Sequence, residues 1–314
     1  MNIAVNLSNG KVKPIDLSVF DDFIGQEHVI DIVKFFVESS STETPFPTLL
    51  FTGSHGLGKT YLAEILSKAL GRKLIVCNCG SIKKKDDFIK KVIGRVEGPT
   101  TIFLDESHSL SKEITTLLLT LLNPTPKHKT SLLNDGIEFI HDLRAVNVVL
   151  ATTDAHMMFK PLRNRCNNIY FSPYERDSLI DILQFYLGDI KLMCNHDDLA
   201  DACRSRARDA FLLSQNILRY IRMTGATTLT EVEWNAIKQI FSISHKGLTQ
   251  EEVALLKVVR DFGPMSCSSL AVKLMVNEEN VKSELEVRLK ELGLIENTTQ
   301  GRQITSKGIE YFLQ

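Results

Sequence analysis

The chain has 314 residues, of which 43% are hydrophobic and 24% are charged, and its formal net charge is −1. That length allows two or three domains with substantial hydrophobic cores, and the near-zero charge excludes a global basic field for nucleic acid. The first residues lack the basic and apolar regions of a signal peptide, and no apolar run approaches the length of a membrane span. The six cysteines are scattered without zinc-ligand spacing, so we expect reduced thiols in a cytoplasmic protein with no membrane contact.

Apolar, strand-like runs alternate with helical patterns from about residue 47 to residue 170. The predicted strands are 48–52, 73–78, 101–105 and 146–152, and the predicted helices between them are 59–70, 86–93 and 112–122. Several of these strands are almost entirely apolar, as expected of parallel strands that are buried on both faces. The pattern predicts a doubly wound α/β domain, with a parallel sheet and helices on both of its faces.

The rest of the chain is mainly helical. Four helices are predicted at 177–187, 196–206, 209–223 and 231–241. The last part has helices at 249–262, 268–275 and 277–292 before two strands at 294–297 and 302–305, which is the order of a winged helix. We therefore predict an α/β domain over residues 1–172, an all-α domain over 173–246 and a winged-helix domain over 247–314.

A phosphate-binding loop is the most informative motif of the chain. The pattern G-x-x-x-x-G-K-[ST] lies between the first predicted strand and the first predicted helix and reads Gly53-Ser54-His55-Gly56-Leu57-Gly58-Lys59-Thr60. In such a loop, the glycines let backbone N–H groups close around phosphate oxygens at the N-terminus of a helix. Lys59 would reach the outer phosphates, and Thr60 would ligate Mg²⁺. The motif predicts a nucleoside triphosphate site, with ATP and Mg²⁺ as cofactors.

Polar residues near the ends of later elements predict the rest of a hydrolytic site. The strand 101–105 ends in Asp105-Glu106, a Walker B pattern in which Asp105 would hold Mg²⁺ and Glu106 would polarise the attacking water. The alternative is a strand followed by a helix cap. Thr153 would orient the water from a neighbouring strand, or be an ordinary polar strand end. An arginine of the segment 161–166, at the end of a predicted helix, would enter a neighbouring subunit's site and stabilise the transferring phosphoryl group, or form a surface salt bridge.

Together these four motifs resemble an AAA+ ATPase, and the likeness extends to the RuvB family of Holliday-junction branch-migration motors. The segments that resemble this family are 20–26, 56–60, 105–110, 151–153 and 293–305. The resemblance covers essentially the whole chain in the same three-domain order. It implies an AAA+ core, an all-α lid and a C-terminal winged helix.

The resemblance also implies roles for individual residues. Thr153 would be the first sensor, and Arg165 would be an arginine finger that acts in trans. A β-hairpin over residues 124–142 would dock on a RuvA-like junction-binding protein, and Arg302 in the wing would contact DNA phosphate. Nucleotide contacts outside the phosphate loop would come from four residues: Phe23, Ile24, Tyr61 and Tyr174.

The chain departs from the family pattern at several positions. Residues 54 and 55 replace the two usual prolines of the phosphate loop, and His55 would lie near the phosphates or face solvent. The second-sensor arginine of the family aligns with Leu212, and Arg208 would substitute for it if the helix register shifts. The wing has Asn297 and Gln300 where the family is basic, and each lost cation removes a phosphate contact.

Two surface segments leave alternatives open. Lys83-Lys84-Lys85 follows the second predicted strand, in a loop that faces the central channel of AAA+ rings. These lysines would grip a DNA backbone, or belong to a solvated loop whose neighbouring acids at 86 and 87 partly cancel the field. The expected hairpin has polar residues 127–130 at its tip instead of an apolar docking surface.

The leading hypothesis is an ATP-driven DNA translocase that assembles as a ring, expected to be a hexamer, and drives branch migration in recombination and repair. The first alternative is a clamp-loader or helicase-loader subunit, because the residues around Arg165 also resemble a clamp-loader signature. The second alternative is an ATP-switched regulator that binds DNA or protein, which the displaced second sensor motivates.

Overall fold

The structure is a computed structural model that describes residues 16–41, 44–122 and 146–313 with their side chains. For residues 4–6, 12–14, 129–134 and 137–142 it describes the backbone alone. The chain divides into two compact units, residues 1–175 and 176–314. The three-domain division made from the sequence stays a prediction.

A parallel sheet forms the centre of the first unit. Five strands pair in the order β4-β5-β8-β3-β9, while β1–β2 and β6–β7 form separate antiparallel pairs. This arrangement confirms the predicted doubly wound α/β core. The strands of the unit are β1 (Ala4–Asn6), β2 (Val12–Pro14), β3 (Leu49–Thr52), β4 (Lys73–Asn78), β5 (Thr100–Asp105), β6 (Lys129–Asn134), β7 (Ile137–Asp142), β8 (Val146–Thr152) and β9 (Asn167–Tyr170).

Helices connect the strands of this sheet. In α4, buried apolar residues recur at the spacing of a helix face, and Ser111 caps the helix by accepting a hydrogen bond from the Ile114 N–H. The apolar face of α4 packs into a core that also includes residues of β4, β5 and β8. The helices of the unit are α1 (Glu27–Ser39), α2 (Lys59–Ala69), α3 (Lys85–Lys91), α4 (Lys112–Leu121) and α5 (Lys160–Arg163).

The edge strand β9 was not predicted from the sequence. It has four residues, and only Ile169 of these is buried, so it shows none of the apolar continuity of the central strands. It is held by the parallel ladder with β3, and the Thr52 hydroxyl donates a hydrogen bond to Asn168 Oδ1 at 3.0 Å. Tertiary pairing therefore decides its conformation, because its own pattern is too polar and too short.

The predicted hairpin is present as the antiparallel pair β6–β7, with Lys129 opposite Asp142 and Asn134 opposite Ile137. Residues 124–128, at the start of the predicted segment, lie outside the described residues. The expectation of a polar tip at 127–130 was wrong for Lys129 and Thr130. These two residues open β6 and pair with Asp142 and His141 of β7, at the base of the hairpin.

The second unit is mostly helical, as predicted. Its helices are α6 (Arg176–Leu187), α7 (His196–Ala202), α8 (Ala207–Thr224), α9 (Glu231–Phe241), α10 (Gln250–Phe262), α11 (Cys267–Leu274), α12 (Glu278–Asn280), α13 (Glu286–Glu291) and α14 (Ser306–Glu310). Its strands are β10 (Lys191–Met193), β11 (Thr228–Thr230), β12 (Ile295–Thr298) and β13 (Gly301–Ile304). The parallel β10–β11 pair was not predicted, because each strand has only three residues.

The C-terminal part of this unit has the helix–helix–helix–hairpin order of a winged helix and confirms that prediction. The long helix expected at 277–292 is interrupted, because a π-helical turn, Val281–Leu285, separates α12 from α13. Gly301 opens β13 with a φ of +123°, and a Cβ there would lie 2.2 Å from the Met265 carbonyl oxygen. Only glycine fits at this position without moving the backbone.

A partly buried ion pair joins the helical part of the second unit to its winged helix. Arg204 Nη1 and Nη2 lie 3.2 Å and 2.5 Å from the two carboxylate oxygens of Glu252, which is only 1% exposed. Glu252 also accepts a hydrogen bond from the Thr249 N–H at 2.8 Å, which completes a capping box at the start of α10. A Cβ on the neighbouring Gly247 would lie 2.1 Å from the Asp201 carbonyl oxygen, so the backbones are in close contact there.

Over the part of the chain that the structure describes, no helix combines the length and the apolar character needed to cross a bilayer. All six cysteines are free thiols, and none of the described His, Cys, Asp and Glu side chains form a group of three or more with metal-binding placement.

Candidate nucleotide-binding and hydrolysis site

The carboxyl edge of the parallel sheet brings the predicted motifs together. Strand β8 lies between β5 and β3, so the segments that follow these three strands are neighbours. The phosphate loop follows β3, and Thr153 follows β8. Asp105 is the last residue of β5, and Glu106 comes directly after it. Ligands of open α/β sheets bind at this edge, outside the carboxyl ends of the strands.

Two glycines of the phosphate loop have conformations that other residues rarely adopt. Gly53 has a φ of +142°, and a Cβ there would lie 2.6 Å from the Phe171 carbonyl oxygen. Gly58 has a φ of +93°, and a Cβ there would lie 2.9 Å from Cζ of Phe23. Gly58 is also the N-cap of α2 and has no side chain that could cap the helix. A helix N-terminus of this kind favours an anionic ligand, because its backbone N–H groups and its dipole present positive charge there.

The ammonium group of Lys59 lies inside the curve of this loop. Its Nζ donates hydrogen bonds to the carbonyl oxygens of Gly53 and Ser54, both at 2.7 Å, and the residue is only 8% exposed. A buried ammonium group in a glycine-rich loop is well suited to a polyphosphate, because the opposite charges attract strongly where water is excluded. The donor set of the loop therefore fits a nucleotide.

The Walker B carboxylates are held in fixed backbone geometry. Asp105 ends β5, and its Oδ1 accepts a hydrogen bond from the Glu106 N–H at 3.0 Å. Glu106 itself has left-handed backbone angles, φ 52° and ψ 45°, and both residues are half-buried. Asp105 and Thr60 are the oxygen ligands that would suit Mg²⁺ here, since carboxylate and hydroxyl oxygens are hard donors.

Hydrogen bonds connect the loop after β5 to the end of β8. The Ser107 hydroxyl donates to the Ala151 carbonyl oxygen at 2.9 Å, and His108 Nδ1 lies 2.9 Å from Thr152 Oγ1. Thr152 is buried, and its Oγ1 accepts a hydrogen bond from the Asp154 N–H. The next residue, Thr153, is half-buried at the sheet edge, and its role as a water-orienting sensor stays a prediction.

Aromatic side chains surround the start of α2. The rings of Phe23 and Tyr61 are stacked, with centroids 5.7 Å apart and an angle of 17° between their planes. The Tyr174 hydroxyl donates to the Leu57 carbonyl oxygen at 3.5 Å, and it would lie 3.5 Å from a Cβ on Gly58. Three of the predicted nucleotide-contacting residues are thus gathered beside the phosphate loop.

The segment that carries Phe23 is fixed to the chain that follows β9. Ile24 follows Phe23 and is half-buried. The side chain of Gln26 pairs with the backbone of Ser172, donating from Nε2 to the carbonyl oxygen at 2.6 Å and accepting at Oε1 from the N–H at 3.2 Å. This two-bond contact joins the N-terminal segment to the chain after β9, close in sequence to Tyr174.

The two arginines near α5 differ in their surroundings. Arg163 is half-buried, and its Nη1 donates to the Ala155 carbonyl oxygen at 3.1 Å. Arg165 is exposed and makes one hydrogen bond of 3.3 Å with the Pro161 carbonyl oxygen, within its own turn. An arginine that contacts the site of another subunit must be exposed on the surface of its own subunit. Arg165 meets that condition better than Arg163, because it is the more exposed of the two.

The predicted DNA contacts have contrasting environments. Lys83 and Lys84 are exposed after β4, at the same edge of the sheet, while Lys85 begins α3 and is half-buried. Arg302 is bound within its own domain, since its Nε lies 2.7 Å from Glu286 Oε2 and its Nη2 lies 3.2 Å from Oε1. Arg302 is therefore held by a carboxylate that it shares with Lys290, and its contact with DNA phosphate stays a prediction.

The candidate second sensor lies on α8. Arg208 and Leu212 are four residues apart on this helix, and both are exposed, so they share one face. The substitution of Arg208 for the expected arginine stays a prediction.

Sequence reasoning missed two contributors to the site. The first is His108, which contacts Thr152 and also Glu106, although the signal was present in the segment 105–110. The second is the Gln26–Ser172 contact, which nothing in the local pattern indicates because the partners are 146 residues apart.

Comparison with known proteins matches both ends of the chain to domains of one family. Residues 15–170 match the family model of the Holliday junction DNA helicase RuvB P-loop domain, and residues 245–313 match that of the RuvB C-terminal winged helix domain. The Holliday junction branch migration complex subunit RuvB of Rubrobacter xylanophilus is 27% identical over 302 residues, which cover 91% of this chain and 82% of that protein. The subunit of the same name from Mycoplasmopsis synoviae is 27% identical over 323 residues, covering 94% and 96%.

Solved structures share the fold. The Thermotoga maritima RuvB Holliday junction branch migration motor matches with a TM-score of 0.77 and 24% identity, over 93% of this chain and 96% of that chain. A mutant of the same RuvB matches with a TM-score of 0.78 and 24% identity, over 96% and 98%. The matches favour the RuvB assignment over a clamp loader and confirm the AAA+ core and the winged helix. The chain belongs to the RuvB family, with the P-loop ATPase domain of that family at its N-terminal end.

Proposed function

We propose that this protein is an ATP-hydrolysing DNA translocase that drives branch migration of Holliday junctions in recombination and repair. The main support is that two RuvB-specific domains occur in one chain in the RuvB order, and that the first contains a complete phosphate loop and Walker B pair. The curated relatives named above are subunits of a branch migration complex.

Each residue of the site has a role in this proposal. The phosphate loop and Lys59 bind the triphosphate, while Thr60 and Asp105 hold Mg²⁺. When bound, Mg²⁺ neutralises charge that develops on the phosphoryl oxygens. Glu106 accepts a proton from the attacking water, and Thr153 orients that water. The aromatic residues beside the loop, with Ile24, contact the nucleotide base.

The proposed role of Arg165 in trans requires a neighbouring subunit. Arg165 is exposed and weakly bound within its own subunit, so it can serve the site of a neighbour. We propose a hexamer in which Lys83, Lys84 and Lys85 face the DNA channel, with Arg302 contacting DNA phosphate at the winged helix. The β6–β7 hairpin, within the segment 124–142, is the proposed docking element for a RuvA-like protein.

The test is an ATPase and branch-migration assay on a four-way DNA junction. Wild-type protein should turn over Mg·ATP, be stimulated by DNA and move the junction, whereas Lys59→Ala should abolish all three. Native mass measurement with ATP and DNA should give a closed six-subunit ring. Turnover that persists in Lys59→Ala would show that the site is wrongly assigned, and an open or mixed assembly would favour a loader.

A further inference from the structure

The Glu106 carboxylate lies between two imidazole rings from different loops. His55 Nδ1, in the phosphate loop, is 3.5 Å from Glu106 Oε1. His108 Nδ1, in the loop after β5, is 3.4 Å from Oε2. Each oxygen of the candidate general base therefore faces one ring, and the three side chains connect the phosphate loop with the Walker B segment.

The two histidines are anchored differently. The His108 side chain is 23% exposed, and its Nδ1 is shared with Thr152 Oγ1 at 2.9 Å, so it is fixed by strand β8. The His55 side chain is 65% exposed, and its position follows the phosphate loop between Gly53 and Gly56. His108 thus holds Glu106 to the sheet, whereas His55 connects it to the loop that cradles phosphates.

The backbone of Glu106 makes this support important. Its φ of 52° places a non-glycine residue in the left-handed region, a strained conformation that is kept only where the surroundings enforce it. A glutamate side chain has three rotatable bonds, and a general base acts well only when its carboxylate is held near one geometry. Contacts on both oxygens restrict that freedom more than a contact on one.

We propose that His55 is a positioning residue for Glu106 and keeps its carboxylate aligned with the phosphate loop. The inference rests on the proposed ATPase function and adds a residue where the family pattern, by the resemblance described above, has proline. Proline stiffens the loop backbone but has no side-chain nitrogen that can donate a hydrogen bond. In this chain, the contact of the His55 side chain with the Glu106 carboxylate takes the place of the stiff proline backbone.

The kinetic test compares His55→Ala, His55→Pro and His55→Gln in steady-state Mg·ATP hydrolysis. Loss of positioning should lower kcat by about five- to tenfold in the alanine and proline variants, while KM and the affinity for a non-hydrolysable ATP analogue stay unchanged. Glutamine, whose amide N–H can reach the carboxylate, should recover at least half of the lost kcat. An unchanged or increased kcat in His55→Ala, or a loss of affinity in place of kcat, would overturn the proposal.

A matched control is available at His156. It is another exposed histidine beside a carboxylate, with Nδ1 3.2 Å from Asp154 Oδ1, and has no part in the site. His156→Ala should leave kcat unchanged. In a Glu106→Gln background, His55→Ala should cause no further loss of turnover, because the group that it positions is already neutralised. A further loss in that background would contradict positioning through Glu106.

A spectroscopic test separates this proposal from the ATPase assignment. With ¹³C-labelled histidine, the ring Hε1 resonance of His55 should move when Glu106 is changed to Gln at constant pH, and should stay in place in Asp154→Asn. If His55 does not respond to Glu106→Gln, the contact is absent and the proposal fails. If it responds but the wild-type protein hydrolyses no ATP with any DNA, the contact stands and the proposed function fails.

Discussion

Removing Glu252 should destabilise the second unit strongly, because this residue carries both a buried ion pair and a helix cap. Glu252→Ala leaves the Arg204 guanidinium without its carboxylate, which typically costs about 3–5 kcal/mol for a buried pair. Arg204 retains 18% side-chain exposure, so the lower end of that range, about 3 kcal/mol, applies. Loss of the capping bond to the Thr249 N–H adds about 1 kcal/mol.

The single tryptophan provides a local assay for this effect. Trp234 is the only tryptophan of the chain, is fully buried in α9 and donates a hydrogen bond from Nε1 to Asp198 Oδ2 at 2.8 Å. Its fluorescence therefore reports unfolding of the second unit alone. With a urea m-value of about 2 kcal/mol/M, a loss of about 4 kcal/mol lowers the urea midpoint by about 2 M.

Two further variants test whether the Arg204–Glu252 ion pair causes this loss of stability. Glu251→Gln removes an exposed charge from the same helical turn and should cost only about 0.5 kcal/mol. The double variant Arg204→Met/Glu252→Met replaces both charges by apolar groups and should regain most of the ion-pair cost, because no charge is left unpaired. If Glu252→Ala lowers the urea midpoint no more than Glu251→Gln does, the Arg204–Glu252 ion pair does not stabilise the second unit as described.

Three further outcomes follow from the structure. Gly58→Ala should weaken binding of a fluorescent ATP analogue by at least about tenfold, because the new Cβ would be 2.9 Å from Phe23 Cζ at a φ of +93°; unchanged binding would contradict this geometry. Arg165→Ala should abolish turnover, and mixing it with a Walker B variant should restore part of it, since each supplies what the other lacks; Arg163→Ala, whose side chain supports its own backbone, should not be rescued in this way. At Glu286, burial raises the pKa, but hydrogen bonds from Arg302 and a neighbouring lysine outweigh it and hold the pKa below its ordinary value. Because the folded-state pKa is the lower one, this stabilisation is present above the unfolded-state pKa and is lost as pH falls through the folded-state value. Glu286→Gln should therefore flatten the acid-side fall in urea midpoint, and an unchanged slope would refute the assignment.

The sequence predicted those parts of the fold in which local pattern and tertiary structure agree. Strands β3, β5 and β8 are largely apolar, and the spacing of the phosphate loop is typical of one local conformation. Strand β9 and the β10–β11 pair were missed because their short, polar sequences acquire structure only through pairing with distant partners. The π-turn inside the predicted 277–292 helix was missed for a related reason, since its residues have ordinary helical periodicity.

The candidate site was predictable to the level of residues, but its internal contacts were not. The positions of Lys59, Asp105 and Glu106 follow from motif spacing alone. That Arg302 pairs with Glu286 required the fold, because 16 residues and a turn separate them. The same holds for His55, whose contact with Glu106 depends on two loops meeting at the edge of the sheet.

The self-contact of Lys59 has a consequence for ligand selection. The ammonium group of Lys59 already makes hydrogen bonds to two carbonyl oxygens of its own loop. The binding free energy of an incoming anion is therefore its attraction to the ammonium group minus the free energy of any internal contact that it weakens. We expect a singly charged ion such as chloride to gain little at this loop. A polyphosphate presents several oxygens and more charge at once, so we expect it to bind in preference to the weaker anions of the surrounding salt.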